Sequence, residues 1–232
     1  MQLSKRLRTI IEMTGPAETA ADIGTDHGFV PIALLSEGRA ARCIAADIRK
    51  GPLARAREHL DDAGLSGRCS VRLGPGLSVL ERDEADVIVI AGMGGLLIRE
   101  ILNEGREKLG KVKQLVLSPQ TEVTAVRETV EALGFYIADE AMVEEDGKFY
   151  VVISAKRADG GHLGMTAREL KYGPVLLAER PEAFLSYLRF RIRREEEILE
   201  KIRASEGGEN SAAGTAHEEE LNELREISWM RG

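Results

Sequence analysis

The sequence predicts an α/β fold, a doubly wound and mostly parallel sheet with helices on both faces, followed by a helical appendage. The rhythm of the chain carries that prediction. Between residues 19 and 157 short apolar runs alternate with amphipathic stretches of helical period. Several runs close on glycine-rich turns, the first being Gly24-Thr25-Asp26-His27-Gly28, as strands do at the ligand-binding edge of such sheets. Beyond residue 160 the pattern changes to heptad-like apolar spacing among charges.

Residues 1–13 set Leu3, Leu7, Ile10 and Ile11 at helical spacing among Lys5, Arg6, Arg8 and Glu12, unlike the uncharged core of a signal peptide. Strands are expected at 19–23, 43–47, 69–73, 87–90, 114–117, 136–143 and 150–156, with helices between them. The helix over 52–63 opens with Gly51-Pro52, proline being favoured at a first helical position. Only Glu144-Glu145-Asp146-Gly147-Lys148-Phe149 separates the last two strands, too little for a crossover helix, so an antiparallel hairpin is expected at the sheet edge. By fold analogy, a seven-stranded, mostly parallel sheet ending in such a hairpin is that of Rossmann-like class I methyltransferases and not of dinucleotide dehydrogenases. Asp159-Gly160-Gly161 reads as a flexible joint, and Tyr172-Gly173-Pro174 punctuates the start of a second region. The expected domains are thus 1–158, binding the cofactor, and 159–232, a linker and helical hairpin. In the latter, Leu185, Leu188, Ile192, Leu199 and Ile202 form a stripe with Glu195 at its one polar position. A loop over 204–216 and a shorter returning helix marked by Leu221, Leu224 and Ile227 complete a coiled-coil-like hairpin. No internal repeat is present.

The 232 residues, 43% hydrophobic and 31% charged, suffice for one full domain and an appendage, and exclude fibrous, collagen-like and wholly disordered classes. With 32 basic against 39 acidic side chains the net charge is −7, so any RNA contact must come from a local patch. One Trp, four Tyr and five Phe are too few and too scattered for a base-stacking platform. Cys43 and Cys69 lack metal-ligand spacing and are too few for a disulfide framework, so they read as small strand hydrophobes in a reducing cytoplasm, and no metal is expected. The longest uncharged stretch, 87–98, is too short and too glycine-rich to span a bilayer, so a soluble protein with no membrane partner is expected.

Chemistry is expected at the carboxyl edge of the sheet. There Gly24 lets backbone approach a ligand, and Gly28 lets the next helix pack closely. The fingerprint G-x-G-x-x-G is absent, because Asp26 stands where its second glycine belongs. An acidic side chain is a poor neighbour for pyrophosphate but suits S-adenosylmethionine, with its cationic sulfonium and ammonium; an ordinary glycine turn is the plain alternative. Asp47 follows Cys43-Ile44-Ala45-Ala46, about 20 residues beyond the glycine turn, where a carboxylate accepts from both ribose hydroxyls. Taken alone it is equally an exposed charge at a strand end. Gly74-Pro75-Gly76 and Ala91-Gly92-Met93-Gly94-Gly95 close the third and fourth strands and open space for a flat ring and a reacting group.

The run Asp22-Ile23-Gly24-Thr25-Asp26-His27-Gly28-Phe29-Val30-Pro31, followed by Ile90-Ala91-Gly92-Met93-Gly94-Gly95, resembles the bacterial TrmK family, which methylates N1 of adenine-22 in tRNA. The resemblance extends to Ser4-Lys5-Arg6-Leu7, Glu145-Asp146-Gly147-Lys148-Phe149-Tyr150 and Tyr172-Gly173-Pro174, nearly the whole chain. It implies a Rossmann-like S-adenosylmethionine domain followed by a coiled-coil-like helical domain. It also implies a cofactor site with Gly24, Asp26 and His27 around the methionine end, Asp47 on the ribose, and Pro75, Gly76 and Gly92 near the adenine and sulfonium, Asp22 and Gly74 completing it. Relatives usually carry Asn or Asp where Pro75 stands, so contact here falls to backbone or to Gly76. Phe29 replaces a frequent Tyr, keeping an aromatic face without the hydroxyl.

Methyl transfer to N1 is an in-line displacement accelerated mostly by alignment, with no strong base required. Because N1 lies on the Watson–Crick edge, the target must be unpaired or turned out of its stack. Asn-Pro-Pro-Tyr, typical of exocyclic amino methylation, is absent, and Ala91-Gly92-Met93-Gly94 takes its place. Asp26, the carboxylate nearest the expected methyl position, is the candidate catalytic residue, orienting the N6 amino group or steadying the charge gained on methylation. A helix-capping aspartate is its alternative, and His27 reads as a cofactor wall and not a base. Phe29, Met93 and Gln120 are expected around the base, a polar turn explaining Gln120 equally well. For tRNA, Lys5, Arg6 and Arg8, and then Arg189, Arg191, Arg193 and Arg194, are suited to phosphates. Six basic residues against four glutamates over 189–203 are equally a solvated helix face, and 204–220, with five glutamates and no Lys or Arg, should avoid RNA. Two other readings stay open: a methyltransferase for a small molecule or protein, active without RNA, and a nucleotide-binding interaction protein without turnover. Composition and spacing reach an S-adenosylmethionine-dependent methyltransferase; the tRNA adenine comes from the resemblance.

Overall fold

The computed structural model describes residues 3–158, 160, 164–204 and 211–229. The chain runs α1 (Lys5–Met13), β1 (Ala17–Ile23), α2 (Phe29–Ser36), β2 (Ala40–Asp47), α3 (Lys50–Asp62), β3 (Cys69–Leu73), β4 (Val87–Ala91), α4 (Gly95–Glu104), β5 (Gln114–Ser118), α5 (Val123–Ala132), β6 (Phe135–Glu145), β7 (Lys148–Arg157), α6 (Ala167–Tyr172), α7 (Pro174–Glu179), α8 (Glu182–Arg203) and α9 (Ala212–Trp229). The strands form one seven-stranded sheet in the order β3-β2-β1-β4-β5-β7-β6. All neighbours are parallel except β7, which is antiparallel to β5 and β6. The edge hairpin is longer than the sequence suggests. Glu144 and Glu145 pair with Phe149 and Lys148, leaving only Asp146-Gly147 as the turn, both at positive φ (51° and 71°). That two-residue geometry matches the twist of the flanking strands.

Each inner strand is buried on both faces, which is why its sequence is an unbroken apolar run. Along β4, Val87 and Val89 face one layer, with Ile10, Ile11 and Leu34 of α1 and α2. Ile88 and Ile90 face the other, with Ile98 of α4 and Val126 of α5. Cys43 and Cys69 sit opposite each other in β2 and β3, both reduced. Burial raises both thiols, that of Cys69 to about 12, so neither is reactive. Consecutive strands step outward from β1 to β2 and β3 on one side, and from β4 to β5 on the other. The crevice where ligands bind in such sheets therefore opens between the carboxyl ends of β1 and β4.

The chain divides into two compact units, Met1–Val175 and Leu176–Gly232. The division lies beyond residue 158 because a buried ion pair fastens the α6 segment to the sheet unit. Arg127 Nε donates to Glu140 Oε1 at 2.8 Å, and Arg127 Nη1 donates to the carbonyls of Leu170 (2.9 Å) and Lys171 (3.1 Å). Glu140 Oε2 accepts from Val175 N at 3.2 Å. Gly173, at φ 98°, fits because a Cβ there would stand 2.7 Å from Arg127 Nη2. Asp159 and Gly161 of the expected joint lie outside the described residues.

In the second unit α8 and α9 run antiparallel, with Phe184, Leu188, Leu199, Leu221, Leu224 and Ile227 buried. The expected loop over 204–216 is shorter, since α9 begins at Ala212 and takes Gly214 into its buried face; Gly207 and Gly208 lie outside the described residues. Glu195 is buried and accepts from Arg191 Nη2 (3.4 Å) and His217 Nδ1 (2.7 Å). Among the described residues no helix is long and apolar enough to cross a membrane.

Candidate active site

The turn after β1 is pinned to β2 by its own backbone, with Gly24 N and Thr25 N both donating to Ala46 O at 2.7 and 2.8 Å. Gly24 has φ 79°, and a Cβ there would run into the Met93 methyl group. His27 (φ 59°) and Gly28 (φ 71°) continue in the left-handed region, and a Cβ on Gly28 would lie 3.1 Å from Ala56 Cβ of α3. The turn therefore requires glycine at both ends, once for the cavity wall and once for helix packing.

Two cavities adjoin above this turn, sharing Gly24, Asp47, Arg49 and Met93 as walls. The first, of about 470 Å3, runs between Ile48, Gly74, Pro75, Gly76 and Leu97. Its walls are mainly apolar and backbone, with Asp47 at the junction, which suits a flat heteroaromatic ring attached to a ribose. The second, of about 380 Å3, is lined by Arg6, Asp22, Asp26, Phe29, Gly92 and Gln120.

Charge in the second cavity is arranged in pairs of opposite need. Asp22 is buried, and its carboxyl is pushed up to about 6, chiefly by burial, against the Thr25 hydroxyl and with the Asp47 and Asp26 carboxylates adding to the rise. Asp47 Oδ1 accepts from Arg49 N (2.7 Å) and Arg49 Nε (3.2 Å). Asp26 is the exposed carboxylate, 3.5 Å from His27 Nε2 and 3.8 Å from Arg55 Nη2. Arg6 comes from α1, whose first turn is capped twice: Leu7 N donates to Ser4 Oγ at 3.2 Å and Lys5 N to Glu145 Oε1 at 2.6 Å. The Arg6 guanidinium lies over the Tyr150 ring at 4.8 Å. Its Nε and Nη1 are buried without a hydrogen-bond partner, as is Ser118 Oγ at the end of β5. Buried donors without a protein partner call for one from outside the chain, such as water or a bound ligand.

A family model described as tRNA (adenine(22)-N(1))-methyltransferase, TrmK, matches residues 20–226. The chain belongs to the TrmK family. It is 36% identical over 205 residues to the tRNA (adenine(22)-N(1))-methyltransferase of Bacillus subtilis, covering 87% of this chain and 86% of that one. The crystal structure of the B. subtilis M1A22 tRNA methyltransferase TrmK superposes with a TM-score of 0.83 at 34% identity, covering 98% and 99% of the two chains. A Streptococcus pneumoniae protein crystallised in complex with S-adenosyl-L-methionine gives a TM-score of 0.85 at 29% identity, covering 98% of this chain and 100% of that one.

Against that family background, most residues singled out from the sequence meet at the two cavities: Asp22, Gly24, Asp26, Asp47 and Gly92 around the β1 and β4 ends, and Gly74, Pro75 and Gly76 after β3. Arg6, Phe29, Met93 and Gln120 complete the second cavity. His27 does not line either cavity. Its ring is near-parallel to those of Phe29 (5.3 Å) and His59 (5.7 Å), and His59 Nδ1 donates to its carbonyl at 2.8 Å. The imidazole thus stacks against Phe29, which itself lines the second cavity. His59 went unnoticed in the sequence, although it lies three residues after Ala56, on the α3 face that meets Gly28. Lys5 lines a separate groove with Glu144, Glu145, Asp146 and Gly147.

In the second unit the basic stretch splits. Arg191 turns inward, donating to Tyr187 Oη (2.9 Å), Glu220 Oε1 (2.9 Å) and Glu195 Oε1 (3.4 Å), so its charge is met within the hairpin. Arg189 pairs with Glu182 and Ser186, while Arg193 and Arg194 are exposed.

Proposed function

We propose that this chain methylates N1 of adenine-22 in tRNA, using S-adenosylmethionine in the paired cavities. The observation that carries the reading is the family match over 20–226, with an orphaned guanidinium, buried carboxylates and an adjoining apolar slot at the expected sheet edge. When bound, the cofactor supplies a methyl group activated by a sulfonium. Asp47 would accept from the ribose hydroxyls, held in place by Arg49. Ile48, Leu97 and the backbone of Gly74 and Gly76 would enclose the adenine, Pro75 having no N–H to offer. Phe29, Met93 and Gln120 would border the target base. Asp26 would orient its N6 amino group and steady the charge that N1 gains. Arg193 and Arg194 would hold tRNA phosphates. A tRNA substrate also argues for work in the cytoplasm.

The test is methyl transfer from labelled S-adenosylmethionine to unmodified tRNA carrying adenine at position 22, with a guanine-22 control and nucleoside analysis. Label found as 1-methyladenosine in the first tRNA alone is the expected result. Transfer to a small molecule or protein without RNA would replace the reading.

A further inference from the structure

The loops after β4 and β5 continue the pairing of the two strands beyond the sheet. Ala91 stands beside Ser118 in the parallel register. Gly92 N then donates to Ser118 O at 3.1 Å, Gln120 N to Met93 O at 2.9 Å and Gly95 N to Thr121 O at 3.0 Å. Glycine at position 95 permits that approach, because a Cβ there would run into Thr121 O and Glu122 O. Gln120 is therefore tied by its backbone to Met93, which walls both cavities, and its side chain lines the second. A side chain on backbone so fixed is suited to reading a ligand's edge.

The amide itself is uncommitted. At the other end of β5, Gln114 uses its amide inside the fold, accepting from Gly15 N (2.8 Å) and donating to Met13 O (2.8 Å) and Ser154 Oγ (2.7 Å). Gln120 is exposed, and its amide makes no hydrogen bond among the described residues. The other polar side chains of the second cavity are charged: Arg6 and Arg49 only donate, and Asp22, Asp26 and Asp47 only accept when ionised. A pair of donors matches guanine's O6 and N7, and a carboxylate takes an amino hydrogen but leaves N7 unmet. An amide meets adenine's N6 amino group and N7 together, in one plane.

We propose that Gln120 is the residue that reads the target adenine, Oε1 accepting from N6–H and Nε2 donating to N7. This rests on the tRNA adenine reading and names how the base is held. A grip on the N6/N7 edge leaves N1 turned to the methyl group, and leaves the second N6 hydrogen, on the N1 side, to Asp26. Guanine in the same pose puts O6 where N6 belongs, so either orientation of the amide opposes two acceptors.

The test is methyl transfer by the full chain to two tRNAs that differ only at position 22, adenine or 7-deazaadenine, which has C–H in place of N7 and keeps N1 and N6. Wild-type kcat/KM is expected to be about 5- to 20-fold lower on the 7-deaza tRNA. Gln120→Ala is expected to lose about 10- to 100-fold on adenine and to treat the two tRNAs alike within about twofold, with S-adenosylmethionine affinity unchanged. A wild type indifferent to N7, or a variant that keeps the full wild-type ratio between the two tRNAs, overturns the proposal. So does a loss confined to S-adenosylmethionine affinity, which would assign Gln120 to the cofactor. Should Gln120→Ala show no turnover, Gln120→Glu decides, since it keeps the acceptor for N6–H and lacks the donor for N7. Activity without preference for adenine supports the assignment, and a retained preference overturns it. A wild type that methylates neither tRNA would instead remove the adenine-22 reading itself.

Discussion

Asp22 is the residue at which environment most changes chemistry. Its carboxyl moves from 3.8 to about 6 on folding, so between those values the folded protein binds more protons than the unfolded chain. Stability of the ligand-free protein therefore falls as pH rises across that window, by roughly 3 kcal/mol from this group. Scanning calorimetry should show the fall, and Asp22→Asn should flatten it. A cation held beside Asp22 would favour its ionised form, so cofactor binding near pH 6 should release about half a proton, and binding at about pH 8 none from this group. Titrations in buffers of different ionisation enthalpy measure that release; its absence near pH 6 would break the pairing. Asp26, exposed and faced by Arg55 and His27, is expected to act on turnover. Asp26→Asn should lower kcat by about 10- to 100-fold. Full turnover with unchanged cofactor affinity would leave Asp26 no catalytic part.

Among elements, α6 is fastened by a buried ion pair, beside Met165 N donating to Glu131 Oε1 just before it. It is short, and its hold on the sheet unit runs through the fully buried Arg127–Glu140 pair. Arg127→Met leaves Glu140 buried without its cation and should cost about 3–5 kcal/mol, read as a lowered midpoint in denaturant. A double change to Arg127→Met and Glu140→Leu should recover part of the loss, since it leaves no unpaired charge. Tyr172-Gly173-Pro174 was legible as punctuation, but the reason for Gly173 was not, because Arg127 and Glu140 lie dozens of positions earlier in the chain. The β6–β7 hairpin was legible as a hairpin and too short in outline, since Glu144, Glu145 and Lys148 are polar locally and become strand, with Phe149, only by pairing.

At the scale of the whole molecule, both candidate cavities are lined by residues of the first unit, and the exposed arginines of the second are the expected hold on RNA. Reversing Arg193 and Arg194 to Glu should weaken tRNA binding and lower the steepness of its salt dependence by about two charges' worth, while S-adenosylmethionine affinity stays unchanged. Unaltered tRNA affinity would identify them as a solvated helix face. The net charge of −7 gives the rest of the surface no general attraction for a polyanion, so the loss should not be masked.

The sequence by itself determined the alternation of strands and helices, the terminal hairpin, and the composition of the β1 turn and the Asp47 position, because periodicity and glycine placement are local consequences of backbone geometry. It also carried the family resemblance. Only the tertiary structure decided which polar side chains stand where. It set Arg6 on Tyr150 with two donors buried, turned Arg191 into the helical hairpin, and stacked His27 on Phe29. Helical spacing tells which face of a segment is apolar, but a charged side chain's partner is chosen by residues far away in sequence, brought close only when the sheet and its layers close.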